Sequence, residues 1–339
     1  MDPLRIGILG AAAIAPPAIV TPASEIPEVT LAGVAARDRQ RAQRFADRYG
    51  IPRVYDSYAD LIAADDLDAV YIPLPNGLHG DWTLRAMAAG KHVLCEKPFT
   101  ANADEARVVA DAVAASDRVV MEAFHYRYHP LTARIRQLVD EGTIGTVRHV
   151  EAHLCFPLPR FSDIRYNLDL AGGATMDAGC YVLHALRTFG PGEPTVRSAR
   201  ARLHRPEVDR AMEVHVEYPG GATGRAVTSM WSARLLDVSL RIVGDAGTIR
   251  VLNFVLPHRY HRLSVRTAAG RRTERVPGPA TYTCQLRAFR DAIVHGTPVL
   301  TDAADAVRTM ALIDAAYRAA GLAPRRPTGQ VQPPGGHLT

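Results

Sequence analysis

The rarest charged side chain in this sequence is lysine. Of 40 basic residues, 38 are arginine and only Lys91 and Lys97 are lysine. A guanidinium keeps its proton at any accessible pH, whereas a buried lysine can release one. The arginine excess has a bland source in a GC-rich coding sequence. Against it a retained lysine marks a place where arginine fails, although chance survival accounts for at least one of the two. Lys91 follows Gly90 and is expected on the surface. Lys97 lies between Glu96 and Pro98, directly after the apolar segment His92–Cys95. An amine placed there is suited to moving a proton.

A second chemical signal is the run Gly7-Ile8-Leu9-Gly10-Ala11-Ala12-Ala13-Ile14-Ala15. Read as G-x-G-x-x-G, its positions are Gly10, Ala12 and Ala15, so two glycines have become alanine. Small residues in such a turn often serve only close packing. Between a strand and a helix, however, the amides around Ala12, Ala13 and Ile14 face an anion, which suits a pyrophosphate. Pro16 and Pro17 are tolerated in a first helical turn, where amide donors lack intrahelical partners. Further on, Ala35-Ala36-Arg37-Asp38 ends a second strand. A carboxylate there accepts from a ribose 2′-hydroxyl, while an arginine pairs with a 2′-phosphate. Arg37 is first in line and Arg41 lies one turn on, so NADP is favoured over NAD. The rival reading turns Asp38 toward the ribose. Leu74-Pro75-Asn76, His79 and Glu96-Lys97-Pro98 follow later strands and are expected to border the same crevice.

Regular elements must hold these groups together. Strands at Leu4–Leu9, Thr30–Ala35, Val54, Ala69–Ile72, His92–Cys95 and Arg118–Met121 alternate with helices at Ile14–Glu25, Asp38–Tyr49, Ser57–Ala64, His79–Ala89 and Ala103–Ala115. That rhythm predicts right-handed βαβ units on a parallel sheet, an α/β Rossmann dinucleotide-binding domain over residues 1–122. Residues 123–322 read as α+β. A helix at Pro130–Asp140, a strand at Val147–Phe156, a loop at Pro157–Gly173 and a helix at Cys180–Phe189 come first. Strands Ser198–Leu203, Ala211–Tyr218, Gly224–Trp231, Asp237–Val243, Thr248–Val251 and Arg262–Thr267 follow. They predict a large, mostly antiparallel open sheet. Helices Tyr282–His295 and Ala303–Ala320 close the domain, and the Pro- and Gly-rich stretch 323–339 is expected to be disordered.

Several of these segments together resemble one family. Gly7–Ala15, Ala36-Arg37-Asp38, Pro75-Asn76 with His79, Ala89-Gly90-Lys91-His92-Val93, Glu96-Lys97-Pro98, and Gly172-Gly173 with Asp177-Ala178-Gly179-Cys180-Tyr181 look like the glucose–fructose oxidoreductase/inositol dehydrogenase (Gfo/Idh/MocA) family. The resemblance runs to about residue 320. Ala35–Asp38 and Met121-Glu122-Ala123-Phe124 are closest to its dihydrodiol dehydrogenase and NADP-dependent D-xylose dehydrogenase branch. It implies that Lys97 is the lysine of the family's Glu-Lys-Pro. It also makes Tyr181, four residues after Asp177, the second catalytic position, which is tyrosine in the sugar and dihydrodiol branch. The spacing is chemically sensible, because residues i and i+4 of a helix face the same way. Oxidation of an alcohol needs a base for the hydroxyl proton as hydride leaves the carbon. Tyr181 accepts it with help from Lys97, whose pKa should be lowered by burial and by oxidised nicotinamide. An ordinary core tyrosine is the competing reading.

Other candidates are weaker. His125 and His129 are four apart, but no third ligand accompanies them and no metal is expected. They and Arg127 are placed at the domain junction, near cofactor or substrate. His184 falls near Tyr181 on its helix, and Arg165 lies in the loop before Gly172; both are substrate candidates. His258 and His261 read as exposed loop residues. Apolar residues at 47% and charged ones at 22% fit a soluble globular chain, and no apolar run reaches the length of a membrane span. The net charge of +5 comes without long basic runs or interleaved aromatics, so nucleic acid is not an expected partner. Cys95, Cys155, Cys180 and Cys284 form no CxxC pair, which favours a reducing cytoplasm. The expectation is an NADP-preferring oxidoreductase of cyclic sugars, polyols or related diols, associating as a dimer or tetramer through its open sheet. The alternatives are a non-catalytic sensor of the same fold, or cofactor-assisted elimination or glycoside cleavage.

Overall fold

The computed structural model describes residues 2–231 and 236–329. The first domain contains β1 (Leu4–Leu9), α1 (Thr21–Ser24), β2 (Val29–Ala35), α2 (Arg39–Tyr49), β3 (Arg53–Tyr55), α3 (Tyr58–Ile62), β4 (Ala69–Ile72), α4 (His79–Ala88), β5 (His92–Cys95), α5 (Ala103–Ala114) and β6 (Val120–Glu122). All neighbouring strands pair in parallel, in the order β3-β2-β1-β4-β5-β6. The order reverses between β1 and β4, and a crevice opens at the carboxyl ends of strands on either side of such a switch point. Gly10, Pro73 and Glu96 follow β1, β4 and β5 directly, so the backbone topology itself gathers the three candidate segments.

The helix expected over Ile14–Glu25 is shorter and starts differently. A π turn covers Pro16–Val20, with Thr21 N donating to Pro16 O, and α1 follows. Pro22 has no amide to offer the carbonyl four residues before it, so a wider turn ahead of it costs little. The next helix follows the sequence closely. Asp38 caps α2 by accepting from Gln40 N and Arg41 N, and Gly50 ends it at φ 68°.

The second part contains α6 (Pro130–Asp140), β7 (Val147–Cys155), α7 (Cys180–Phe189), β8 (Thr195–Arg205), β9 (Val208–Glu217), β10 (Thr223–Ser229), β11 (Asp237–Gly244), β12 (Gly247–Leu252), β13 (Arg262–Thr267), β14 (Gly270–Glu274), α8 (Thr281–His295) and α9 (Ala303–Ala319). Its eight strands run β14-β13-β12-β11-β7-β10-β9-β8, antiparallel except for the β7–β10 pair. β14 escaped the sequence reading because Gly270-Arg271-Arg272-Thr273-Glu274 carries no apolar alternation. The loop 157–173 holds two short 3₁₀ turns, Ile164–Tyr166 and Leu168–Leu170.

Sequence order and packing diverge after α7. Leu286 and Phe289 of α8 join the core formed by Ile6, Ile8, Val34 and Leu94, so this helix packs in the first domain's core. Burying Phe289 completely is worth about 2–3 kcal/mol, enough to hold the crossing. Residues 324–328 are also tied down: Arg325 is 2% exposed and Thr328 N donates to Gly77 O at 2.7 Å. The expectation of disorder from 323 onward therefore fails through 328, because these residues exchange water for buried polar partners. Its last part, 330–339, lies outside the described residues. Lys91 is a further correction. It is 6% exposed, and its ammonium donates to Ala64 O and Leu67 O at 2.6 and 2.8 Å, satisfying carbonyls just beyond α3.

Candidate active site

Lys97 leaves β5 and crosses toward the second domain; the following Lys97–Pro98 peptide is cis. Its Nζ donates to Asp177 O at 2.8 Å and lies 3.5 Å from Asp177 Oδ1. It also sits 5.1 Å from the centroid of the Tyr181 ring. Asp177 belongs to a π turn, Thr175–Gly179, that runs straight into α7, where Tyr181 sits. Single π turns inside helices occur often at functional sites, since they aim side chains off the regular spacing. Arg165 Nε reaches Asp177 Oδ2 at 3.0 Å from the loop side. Lys97, Asp177, Arg165 and Tyr181 thus come together.

The electrostatics differ from the expectation at Lys97. Burial alone would lower its pKa, but Asp177, Cys180 and Glu96 outweigh burial and hold it above the usual lysine value. The ammonium therefore stays charged. Burial would likewise raise Asp177, yet Lys97 and Arg165 keep that carboxyl below its usual range. Burial, with Tyr282 and Glu96 nearby, pushes the Tyr181 phenol well above its ordinary value. The cluster at rest is a protonated phenol beside a protonated amine.

Several predicted ligands are buried and hydrogen-bonded within the protein. His125 is buried, and its Nε2 meets Tyr181 OH at 3.0 Å, so that ring nitrogen is engaged by the phenol. Burial lowers its pKa to about 3 and keeps the ring neutral. His184 is not at the crevice: it stacks on Phe124 at 4.0 Å and bridges Tyr126 OH and Asp305. Being 1% exposed, it has no face to offer a substrate. His79 is also 1% exposed, with its nitrogens 2.7 Å from Leu74 O and Pro98 O. Burial lowers its pKa to about 4, so the neutral ring donates to one carbonyl at a time and pins the two crevice loops from behind. Glu96 is buried and accepts from Tyr71 OH at 2.7 Å, supporting the Lys97 backbone instead of facing a ligand. His129 caps α6 through Leu131 N, and His258 and His261 accept from Thr281 N and Val276 N rather than standing free. No group of three or more potential metal ligands occurs among the described residues.

The crevice next to β1 suits a dinucleotide. Gly10 takes φ 123°, Ala12 is half-buried, and Ala13 and Ile14 are exposed. Among the described residues the amides of Ala13 and Ile14 donate to no carbonyl, which leaves them open to an anion at a helix start. Arg41 turns inward, with two nitrogens on Ala11 O at 3.0 and 2.7 Å, and holds the turn's shape. The Asp38 carboxylate is engaged in capping α2, which weakens its claim on a ribose and leaves the exposed Arg37 at the strand end. Asn76 donates to Ala171 O at 3.1 Å and so joins the two walls. Leu74 is buried and Pro75 half-buried at the crevice edge. Arg127 has a buried Nε without a partner among the described residues.

Residues missed by the sequence reading complete the site. The ring of Tyr282 in α8 lies tilted 4.1 Å from that of His125 and within the field of the Tyr181 phenol, and Tyr58 packs edge-on to Trp82 beside Arg37. No spacing rule connects residue 282 with 97; only the return of α8 brings it there.

Comparison with known proteins agrees with this layout. Residues 4–124 match the Gfo/Idh/MocA oxidoreductase family with its NAD-binding Rossmann fold, and residues 132–250 match the Gfo/Idh/MocA C-terminal domain. The chain belongs to this family. It is 38% identical to D-xylose 1-dehydrogenase (NADP(+)) 2 of Haloferax volcanii, covering 94% of this chain and 97% of that one. It is 36% identical to trans-1,2-dihydrobenzene-1,2-diol dehydrogenase of Mus musculus over 68% of this chain and 69% of the other. Both belong to the branch its sequence resembles. A 3-ketoreductase of Actinomadura kijaniata, solved with NADP and TDP-benzene, superimposes with a TM-score of 0.88 at 29% identity, covering 94% of this chain and 98% of that one. The protein is thus an oxidoreductase of the Gfo/Idh/MocA family.

Proposed function

We propose that this enzyme transfers hydride between NADP and a hydroxyl-bearing carbon of a cyclic sugar, polyol or related diol. Lys97 and Tyr181 handle the proton. The observation that carries this reading is the placement of Lys97 Nζ, bonded to Asp177 and facing the Tyr181 ring, at the carboxyl end of β5 beside the crevice. The relatives' use of NADP and the exposed Arg37 support the choice of cofactor. The open amides of Ala13 and Ile14 are assigned to its pyrophosphate, Arg37 to its 2′-phosphate and Arg127 to its nicotinamide end. When bound, the reduced nicotinamide supplies the hydride.

The residues do the rest. In reduction Tyr181 gives its hydroxyl proton to the substrate oxygen as the carbonyl carbon accepts hydride. Lys97 stabilises the phenolate left behind, since an ammonium held charged by Asp177 lowers the cost of that anion. His125 fixes the direction of the Tyr181 hydroxyl. Oxidation runs the same path backward, with the phenolate taking the alcohol proton. Arg165, whose side chain is 42% exposed beside Asp177, is assigned a substrate hydroxyl. The face of the eight-stranded sheet that no helix covers among the described residues, with Arg225 paired to Glu151 and Glu213, is the face on which copies are expected to associate. Size-exclusion chromatography with light scattering checks that expectation.

The functional test is NADPH formation by purified protein across a panel of pentoses, hexoses, inositols and vicinal diols, with D-xylose first. Turnover abolished by Lys97→Ala supports the reading. Tight NADP binding without turnover on any of them moves the protein to the sensor reading.

A further inference from the structure

Residues 323–328 cross the back of the site and touch both domains. Asn102 Nδ2, just before α5, donates to Arg325 O at 2.7 Å. Thr328 N donates to Gly77 O at 2.7 Å in the crevice loop, and Thr328 Oγ1 to Asp169 O at 2.6 Å in the opposite loop. Between these ties Arg325 turns inward. Its Nη2 lies 2.9 Å from Asp209 Oδ1, its Nε donates to Gly172 O at 2.7 Å, and its guanidinium stacks 4.0 Å from the Tyr317 ring. Asp209 is fully buried and accepts from Thr175 N, Thr175 Oγ1 and Tyr317 OH at 2.7, 2.6 and 3.0 Å.

A pair this deep is a poor way to gain stability, since apolar residues of the same volume often do as well. What it does, and apolar groups do not, is grip backbone. Thr175 opens the π turn that carries Asp177, and first-turn amides have no intrahelical carbonyl. Asp209 takes that amide. Gly173, at φ 136°, lies so close that a Cβ there would stand 2.2 Å from Asp209 Oδ1 and 2.9 Å from Arg325 Nη2. Gly173 O in turn accepts from Asp177 N at 3.0 Å. A continuous path of short contacts runs from the ion pair through Gly172, Gly173 and Thr175 to Asp177 and then to Lys97.

We propose that Arg325 and Asp209 are positioning residues that set the 172–177 backbone so that Asp177 meets Lys97, and that segment 323–328 clasps this wall to the Rossmann crevice. The inference rests on reading Lys97, Asp177 and Tyr181 as the reacting cluster. Neither Arg325 nor Asp209 touches that cluster directly.

Having only two lysines makes a direct test possible. The charged and titratable groups facing Lys97 are Asp177, Cys180 and Tyr181 from the π turn and α7, Glu96 from its own strand end and Arg165 from the loop. His79, His125 and Glu122 lie within its field. Reductive methylation with ¹³C-formaldehyde labels Lys91, Lys97 and the N-terminal amine, and NMR then follows the Lys97 titration in the full chain. The double variant Asp209→Asn/Arg325→Met removes both buried charges at once. In it the Lys97 midpoint is expected to fall by about one pH unit or more, the size of a lost carboxylate neighbour. The Lys91 resonance stays in place. Thr175→Val leaves the ion pair intact, loses one hydrogen bond to Asp209, and is expected to shift Lys97 the same way by less. This second variant keeps the test open if the double variant does not fold. An unmoved Lys97 midpoint in a folded variant overturns the clasp. Turnover by Lys97→Ala tests the underlying reading separately: undiminished turnover removes the catalytic assignment, whatever the NMR shows.

Discussion

The two walls of the crevice are built on opposite plans. On the Rossmann side, Ala13, Ile14 and Arg37 present open amides and an exposed guanidinium, and only Arg41 is spent on holding the turn. On the far side, Asp177 is gripped by two cations and Tyr181 by a buried imidazole. A wall that waits for a charged ligand can leave its donors unsatisfied in water, because the ligand brings the counter-charge. A wall proposed to move a proton must have its dipoles fixed beforehand, since reorganising them at the moment of reaction raises the barrier.

That contrast can be broken first at Lys97. Lys97→Ala is expected to lower turnover by about 10²–10³-fold, the usual worth of one fixed group that stabilises a developing anion, while NADPH binding by fluorescence titration changes far less. A matching loss of NADPH affinity would mean that the two walls are not separate. Arg37→Ala should do the reverse. Calorimetric titration is expected to show NADP affinity weakened by about 10- to 100-fold, as for one lost charge-assisted contact, with NAD affinity little changed. Equal weakening of both nucleotides would place the 2′-phosphate elsewhere.

The buried imidazoles sharpen the comparison through pH. His79, His125 and His184 are held near pKa values of about 4, 3 and 4 in the fold, below the ordinary 6.5. The unfolded chain therefore binds more protons than the native one between those limits. Stability is fully present above pH 6.5 and is lost as pH falls from 6.5 toward about 4, by up to about 1.4 kcal/mol per histidine for each pH unit. Urea unfolding at a series of pH values measures this, and a flat profile between 6.5 and 4 would contradict neutral buried rings. His125→Phe keeps the packing against Tyr282 but drops the bond to Tyr181. About a fivefold loss in kcat with KM unchanged is expected from steady-state kinetics. The mildest change in activity should come from the other lysine. Lys91→Met is expected to cost about 1–3 kcal/mol in denaturant unfolding, because two carbonyls lose their donor, and to leave turnover as it was.

Lys91 and Lys97 also show where sequence reading stops. Both were conspicuous as lysines among arginines, yet rarity alone could not tell a buried cap of carbonyls from a charged group at the site. Strand-following position set the two apart, but the exposure it implied for Lys91 does not hold. The histidines failed in a different way. His79 and His184 lie near the right segments, but a side chain one helical step away can point behind the site as easily as into it. At Lys97 burial, together with oxidised nicotinamide, is expected from sequence to lower the pKa; the burial part is outweighed by Asp177, 80 residues away, with Cys180 and Glu96.

Local chemistry determined a good deal on its own. The βαβ rhythm, the small-residue turn after the first strand, Asp38 and Gly50 at the ends of one helix, and the Glu-Lys-Pro and Asp-to-Tyr spacings all depend on neighbours within a few residues. They could be read before any fold was known. Tertiary structure alone decided the return of α8 with Tyr282, the burial of Arg325 against Asp209, and the net charge state of Lys97. Each depends on groups far apart in the chain meeting where water is excluded, and there long-range Coulomb terms and desolvation outweigh local preference.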